Sequence, residues 1–319
     1  MICERLHSRH GDIRVVENVL CVPPGAHPSA LPEQRGGGLF NGRDPIPEGL
    51  LTRQLEPNGP VKPLLEPYWM EAEQRIDEAF LFGGYLLPHY GHFLLETLTY
   101  LWMTQRIPDV RVLFLHCVGD EHLSQWMSDI LSVLDFRNEI MLLCRPTTVS
   151  TLFLGDPGYR IRFTFRQHHV DFLAARSSPL TDGRRVWLSR QGAPAHSGFA
   201  NEVELEQLLE RSGWIIYRPE AHSVEEQLEM LGRAEHIAGI EGSAFHTLVL
   251  LKGLRARLSI IPRRRRINAN FETIAAAKQF NQEIFNAPYR TETDPNQPGR
   301  VRRFFELPYV ASLLESTRV

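Results

Sequence analysis

Apolar and polar positions along this chain follow the periods of short strands and amphipathic helices, and they do so most clearly between Val186 and Leu251. Val186, Trp187 and Leu188 are a β-prone run ending at Ser189-Arg190. Asn201 is placed to cap a helix through Leu209 that stops at Gly213. Trp214 to Tyr217 is a buried-strand run, and Ser223-x-x-Glu226 is a capping box ahead of the apolar positions Val224, Leu228 and Leu231. His236 to Ile240 is the next strand; it breaks at Gly242-Ser243, where a further helix begins. Arg257 to Ile261 is a strand ended by Pro262, Phe271 to Phe285 is a predicted helix, and Phe304 to Leu314 a last helix expected to pack back on the first half.

The first half shows the same alternation. Ala79 to Phe82 reads as a strand running into Gly83-Gly84, and a helix carrying His92 and Glu96 follows to about Gln105. Strands are predicted at Val110–Leu115, Glu139–Leu143 and Val149–Leu154, with helices at Glu121–Leu134 and Phe165–Arg176. Strand and helix in alternation imply a parallel sheet with helices on its faces. Ser177 to Gly183 is polar, contains Pro and Gly, and reads as a linker. Apart from a possible strand at Ile13–Val22, residues 1–77 are rich in Gly and Pro and read as an arm or lid. The expected organisation is therefore an arm over 1–77, a Rossmann-like domain over 78–180 and a second over 181–319, the two domains facing across a cleft.

Composition changes this picture little. With 319 residues, 43% hydrophobic and 23% charged, the chain can bury two cores, and a net charge of −3 gives no reason to expect nucleic acid. Four scattered cysteines (Cys3, Cys21, Cys117, Cys144) make neither a disulfide framework nor a zinc site and read as reduced thiols. No stretch reaches the ~18 apolar residues of a membrane span. The first residues lack the apolar core of a signal peptide. The expectation is a cytoplasmic protein, with peripheral association at a membrane left open.

Candidate chemistry falls in two places. The Gly242-Ser243-Ala244 turn follows a strand and opens a helix, where small residues let backbone N–H groups approach a phosphate; Glu241 and His246 flank it. Arg190 ends a strand of the same half, and a guanidinium grips a diphosphate in two places. Gln227, beside the capping residue Glu226, is placed either to cap or to face a ligand. The Arg263–Arg266 run reads as a solvated face or, because it directly follows a strand end, as a phosphate contact near the site. In the first half, His92 and Glu96 lie four apart, on one face of a helix, close to His89. A buried carboxylate there needs a partner, which points to an ion pair or a general base. His89, His92 and Glu96 are not spaced as H-E-x-x-H, and there is no D-x-D to hold a divalent ion.

Five short motifs follow in order: P-H-Y-G-H-F-L-L-E (88–96), the L-S-R block ending at Arg190, N-E-x-E-L-E-x-L-L-E from Asn201, P-E-x-x-S-x-x-E-Q ending at Gln227, and A-x-x-I-x-G-x-x-G-S-A ending at Ala244. Together they resemble glycosyltransferase family 61. The chain departs from the family at Glu241, where His is usual, and at His246-Thr247, where Thr-Asn is usual. The resemblance implies the GT-B architecture, a nucleotide-sugar donor, a glycan or polysaccharide acceptor and inversion at the anomeric carbon. Donor binding is expected at Arg190, Gln227, Glu241, Gly242, Ser243, Ala244 and His246, with His92 or Glu96 as base and neither metal nor cofactor. Two rival readings stand beside it. One is another transferase of polysaccharide assembly, such as a pyruvyl transferase; the other is a non-catalytic sugar- or nucleotide-binding protein on the same scaffold.

Overall fold

The computed structural model describes residues 5–6, 12–25, 36–54, 60–64, 66–116, 122–191, 198–293 and 300–315. Cys3, Cys117, Glu121 and most of the two Gly/Pro tracts around 26–35 and 55–59 lie outside the described residues. The chain divides into two compact units, Met1–Leu173 and Ala174–Val319. Among the described residues, no helix is long and apolar enough to cross a membrane.

In the first unit, Gly83-Gly84 does not end a strand. Gln74–Leu86 runs through both glycines, and its register with Arg111–His116 shifts between Phe82 and Gly84. Gly84 has φ +102°, a conformation L side chains avoid, and a Cβ on Gly83 would collide with Phe114 and Val112. The glycines therefore make a bulge in a long inner strand. Its sheet has eight strands in the order Asp44–Pro45, Gly38–Asn41, Ile13–Val22, Thr147–Gly155, Gln74–Leu86, Arg111–His116, Ile140–Leu143, with Arg5–Leu6 on Ile13–Val22.

The strands of the alternating region are parallel, as the alternation implies, but N-terminal strands make the sheet as a whole mixed. Thr147–Gly155, Gln74–Leu86, Arg111–His116 and Ile140–Leu143 are parallel, whereas Ile13–Val22 is antiparallel to Thr147–Gly155 along its whole length. Ile13–Val22 is thus an inner strand with Val19 and Cys21 fully buried, so this part of the expected arm is built into the sheet. The predicted helix to Gln105 is two elements. An α-helix, Tyr90–Leu95, gives way at Glu96 to a 3-10 helix, Thr97–Gln105, whose residues Thr97 to Thr104 are all buried. Thr97 pins this change to the sheet: its hydroxyl donates to Tyr85 O at 2.9 Å and accepts from Leu87 N–H at 3.0 Å.

The second unit follows the sequence pattern closely. The five strands of its main sheet are all parallel, in the order Trp214–Tyr217, Arg185–Leu188, His236–Ile240, Arg257–Ile261, Asn281–Ile284. Numbered along the chain this is 2-1-3-4-5, so the connections diverge between Arg185–Leu188 and His236–Ile240. In doubly wound sheets ligands bind beyond the carboxyl ends of the strands at that divergence. The capping box is present, with Glu226 N–H donating to Ser223 Oγ at 3.3 Å and Ser223 N–H to Glu226 Oε2 at 2.8 Å.

Three local expectations need correction here. Asn201 precedes helix Glu202–Arg211 but makes no side-chain cap; its amide pairs both ways with the Phe304 backbone, at 3.1 and 2.9 Å. The segment Phe271–Phe285 is a helix only to Lys278; Gln279 turns left-handed (φ 55°) and Asn281–Ile284 becomes the edge strand. The last helix, Leu307–Glu315, packs within its own unit. Val310 and Leu314 join Trp187, Leu205, Leu209 and Trp214 in one core, and Glu315 accepts from Trp214 Nε1 at 2.7 Å.

Candidate functional site

The divergence point of the parallel sheet brings together Arg190, two residues beyond strand Arg185–Leu188, and Glu241-Gly242-Ser243, just beyond strand His236–Ile240. Gly242 is extended (φ −169°), so its backbone would suit any residue. What demands glycine is space: a Cβ there would overlap the Arg190 guanidinium. Arg190 therefore lies directly on the turn. Ser243 begins a 3-10 helix, Ser243–Leu250, whose first N–H groups have no acceptor within the helix, and Ser243 and Ala244 are part-exposed.

Charge at this point is arranged around two arginines. Burial, and then the neighbouring Arg263, push the Arg190 pKa down. The side-chain Nε of Arg190 and of Arg263 are both buried without a hydrogen-bond partner. Two cations side by side with unused donors make a seat for an anion. The arginine run splits accordingly: Arg263 is part-buried while Arg264, Arg265 and Arg266 are exposed, so only those three form the solvated face.

Carboxylates brace the loops from beneath. Glu241 is 5% exposed and accepts from the backbone N–H of Arg263 (3.1 Å) and Asn268 (3.3 Å), so it holds the loop that carries Arg263. Glu202 accepts the Arg190 backbone N–H at 3.0 Å. Burial pushes the Glu202 pKa up to about 7, with the nearby Glu206 adding to the rise.

Gln227 and His246 are used elsewhere. Both amide hydrogens of Gln227 are taken by the carbonyls of Pro219 (2.9 Å) and His222 (3.1 Å), and its oxygen accepts from Thr247 Oγ1 at 3.2 Å. It ties the segment before its own helix to the 3-10 helix, a packing role. His246 is buried against Phe271, with ring centroids 5.2 Å apart.

In the first unit His92 and Glu96 do meet: His92 Nδ1 lies 2.5 Å from Glu96 Oε2. The sequence gives no hint of the third member. Arg53 grips the same carboxylate with both ends of its fork, Nε to Oε1 at 2.8 Å and Nη2 to Oε2 at 2.7 Å. Glu96 is 3% exposed and paired with Arg53, while His92 has 39% of its side chain exposed. Nδ1 of His92 is engaged with the carboxylate, which leaves Nε2 as the free acceptor. The geometry thus separates the pair into an orienting Glu96 and an accessible His92. His89 stands beside them at the start of the helix, its ring 5.1 Å from that of His92; burial, then the His92 charge, lower its pKa.

Among the described residues no group of three or more His, Cys, Asp or Glu side chains is placed to hold a metal ion. A family model described as Glycosyltransferase 61 matches residues 90–261, a little over half of the chain. The matched segment runs from the first residue of the His92 helix to the last residue of strand Arg257–Ile261, so it takes in His92, Glu96, Arg190 and the Gly242 turn but neither Arg53 nor Arg263. No curated protein matches the chain.

Proposed function

The chain belongs to glycosyltransferase family 61, and from that membership we propose that it moves a sugar from a nucleotide-activated donor to a hydroxyl of a glycan or polysaccharide. The donor diphosphate sits on Arg190, Arg263 and the first N–H groups after Gly242. His92 Nε2 takes the proton of the attacking hydroxyl. The bond from that oxygen to the anomeric carbon forms as the bond to the phosphate oxygen breaks, and one such displacement inverts the centre. The nucleoside diphosphate leaves with the electron pair, its charge neutralised by the two arginines and the helix N-terminus, with no metal required. Glu96, gripped by Arg53, orients His92 and stabilises the imidazolium that forms.

The observation that carries this reading is the seat of Arg190 on Gly242 at the divergence point of the sheet, with Arg263 alongside. A thermal-shift panel of nucleotide sugars tests it. A donor present at about 100 times its Kd stabilises the protein by roughly 2.7 kcal/mol. A panel in which no nucleotide sugar or nucleoside diphosphate raises the melting temperature would overturn the reading. Transfer is expected to persist in excess chelator; loss that a divalent cation restores would reject the metal-free mechanism.

A further inference from the structure

Three buried polar atoms in the first unit, Thr52 Oγ1, Tyr159 OH and Arg160 Nε, hydrogen bond to nothing. All three residues line one cavity of about 10 Å³, and its wall also includes Glu96, Tyr85 and Tyr100. Orphaned buried donors are costly, and three around one cavity next to the carboxylate that orients His92 call for an explanation. We propose that this cavity is an acceptor subsite that receives one sugar hydroxyl, a neighbour of the hydroxyl that reacts at His92. The proposal rests on the glycosyltransferase reading and on His92 as base.

Size and chemistry select the ligand. A volume near that of one water probe admits a hydroxyl and excludes a ring. A hydroxyl brings one donor and two acceptor lone pairs. The wall offers the complement: Tyr159 and Arg160 Nε as donors, and Glu96 Oε1, which carries a single hydrogen bond from Arg53, as acceptor. Glu96 repels an anion in the cavity, and Arg53 and Arg160 repel a cation. The other two phenols of the wall are committed, Tyr85 OH to Gly49 O at 3.0 Å and Tyr100 OH to Glu48 O at 2.5 Å, so only Tyr159 is unused.

Tyr159 is also fixed in place. It is 2% exposed, its N–H donates to Thr99 Oγ1 at 2.7 Å and its carbonyl accepts from that hydroxyl at 3.0 Å. Burial, and then the Glu96 charge, push its pKa up, so it remains a phenol and a donor. Leu51, Thr52 and Arg160 are part-exposed, which gives the cavity a rim that solvent reaches.

The test compares the unaltered protein with Tyr159→Phe and Thr52→Val, each removing or replacing one oxygen in a folded wall. Methyl pyranosides and their monodeoxy forms serve as acceptors, and donor hydrolysis by water serves as the reaction that needs no subsite. The unaltered protein is expected to reject one monodeoxy acceptor by roughly tenfold or more. In Tyr159→Phe that discrimination collapses and transfer kcat/KM falls by a similar factor, while donor affinity and donor hydrolysis stay unchanged. If both variants transfer to every acceptor as the unaltered protein does, the cavity holds only water and the proposal is overturned. An unaltered protein that neither binds nor turns over any nucleotide sugar overturns the functional reading itself, a result distinct from normal hydrolysis with unchanged transfer.

Discussion

The guanidinium of Arg190 occupies the space that a side chain on Gly242 would need, although 51 residues separate the two along the chain. Because Gly242 is extended, its backbone accepts alanine without strain, and the only consequence of a methyl group is to displace Arg190. Gly242→Ala should therefore weaken nucleoside diphosphate binding as Arg190→Ala does, by roughly ten- to a hundredfold for a charge-assisted contact. The double variant should be no weaker than either single one, since both remove the same interaction. Titration calorimetry with a nucleoside diphosphate measures all three; additive losses would mean that glycine and arginine act separately.

Arg53 holds Glu96, and Glu96 holds His92. His92→Ala should lower turnover by roughly 10²–10⁴ with donor affinity and melting temperature nearly unchanged. Arg53→Met should instead destabilise the protein, by about 3 kcal/mol, because it strands a carboxylate that is 3% exposed. Adding Glu96→Gln to that variant should recover most of the loss. Denaturant unfolding checks the pair, and failure of the second change to rescue the first would show that Arg53 acts by packing alone.

Two buried groups in the second unit oppose each other in acid. Glu202 is raised to about 7 by burial, so the unfolded chain releases its proton first; this destabilises the fold as pH rises from about 4.5 to about 7 and is constant above that. His236 is lowered to about 4 by burial, then by Arg257 and Arg185, so stability rises with pH from about 4 to about 6.5. Each shift corresponds to roughly 3 kcal/mol, and the windows overlap with opposite sign. Glu202→Gln keeps an acceptor for the Arg190 N–H and should uncover the His236 slope, with stability climbing between pH 4 and 6.5. Urea midpoints across that range measure it, and an unchanged profile would contradict the assignment.

Gln227 should behave as a structural residue. Gln227→Leu removes its hydrogen bonds to the carbonyls of Pro219 and His222 and from the Thr247 hydroxyl, a loss of about 1–3 kcal/mol. Donor affinity measured well below the melting temperature should not change. A variant with normal stability and weakened donor binding would return Gln227 to the binding site.

What the sequence determined by itself lies within a few residues of each signal. The strands Trp214–Tyr217, His236–Ile240 and Arg257–Ile261 stand where the apolar runs put them, and the Ser223–Glu226 box forms, because a strand's apolar run and a helix cap are local properties of the chain. The meeting of His92 and Glu96 is legible for the same reason: four residues is one helical turn. Partners distant in sequence are set by tertiary packing. Nothing in T-R-Q at 52–54 shows that Arg53 will reach a carboxylate 43 residues away, and nothing in the Arg263–Arg266 run shows that its first member alone turns toward Arg190. The antiparallel seat of Ile13–Val22 and the return of Leu307–Glu315 onto its own unit are likewise choices among surfaces that the chain offers only once folded. Periodicity says which face of an element is apolar; which other face covers it depends on every element competing for that surface, and only the folded chain decides that competition.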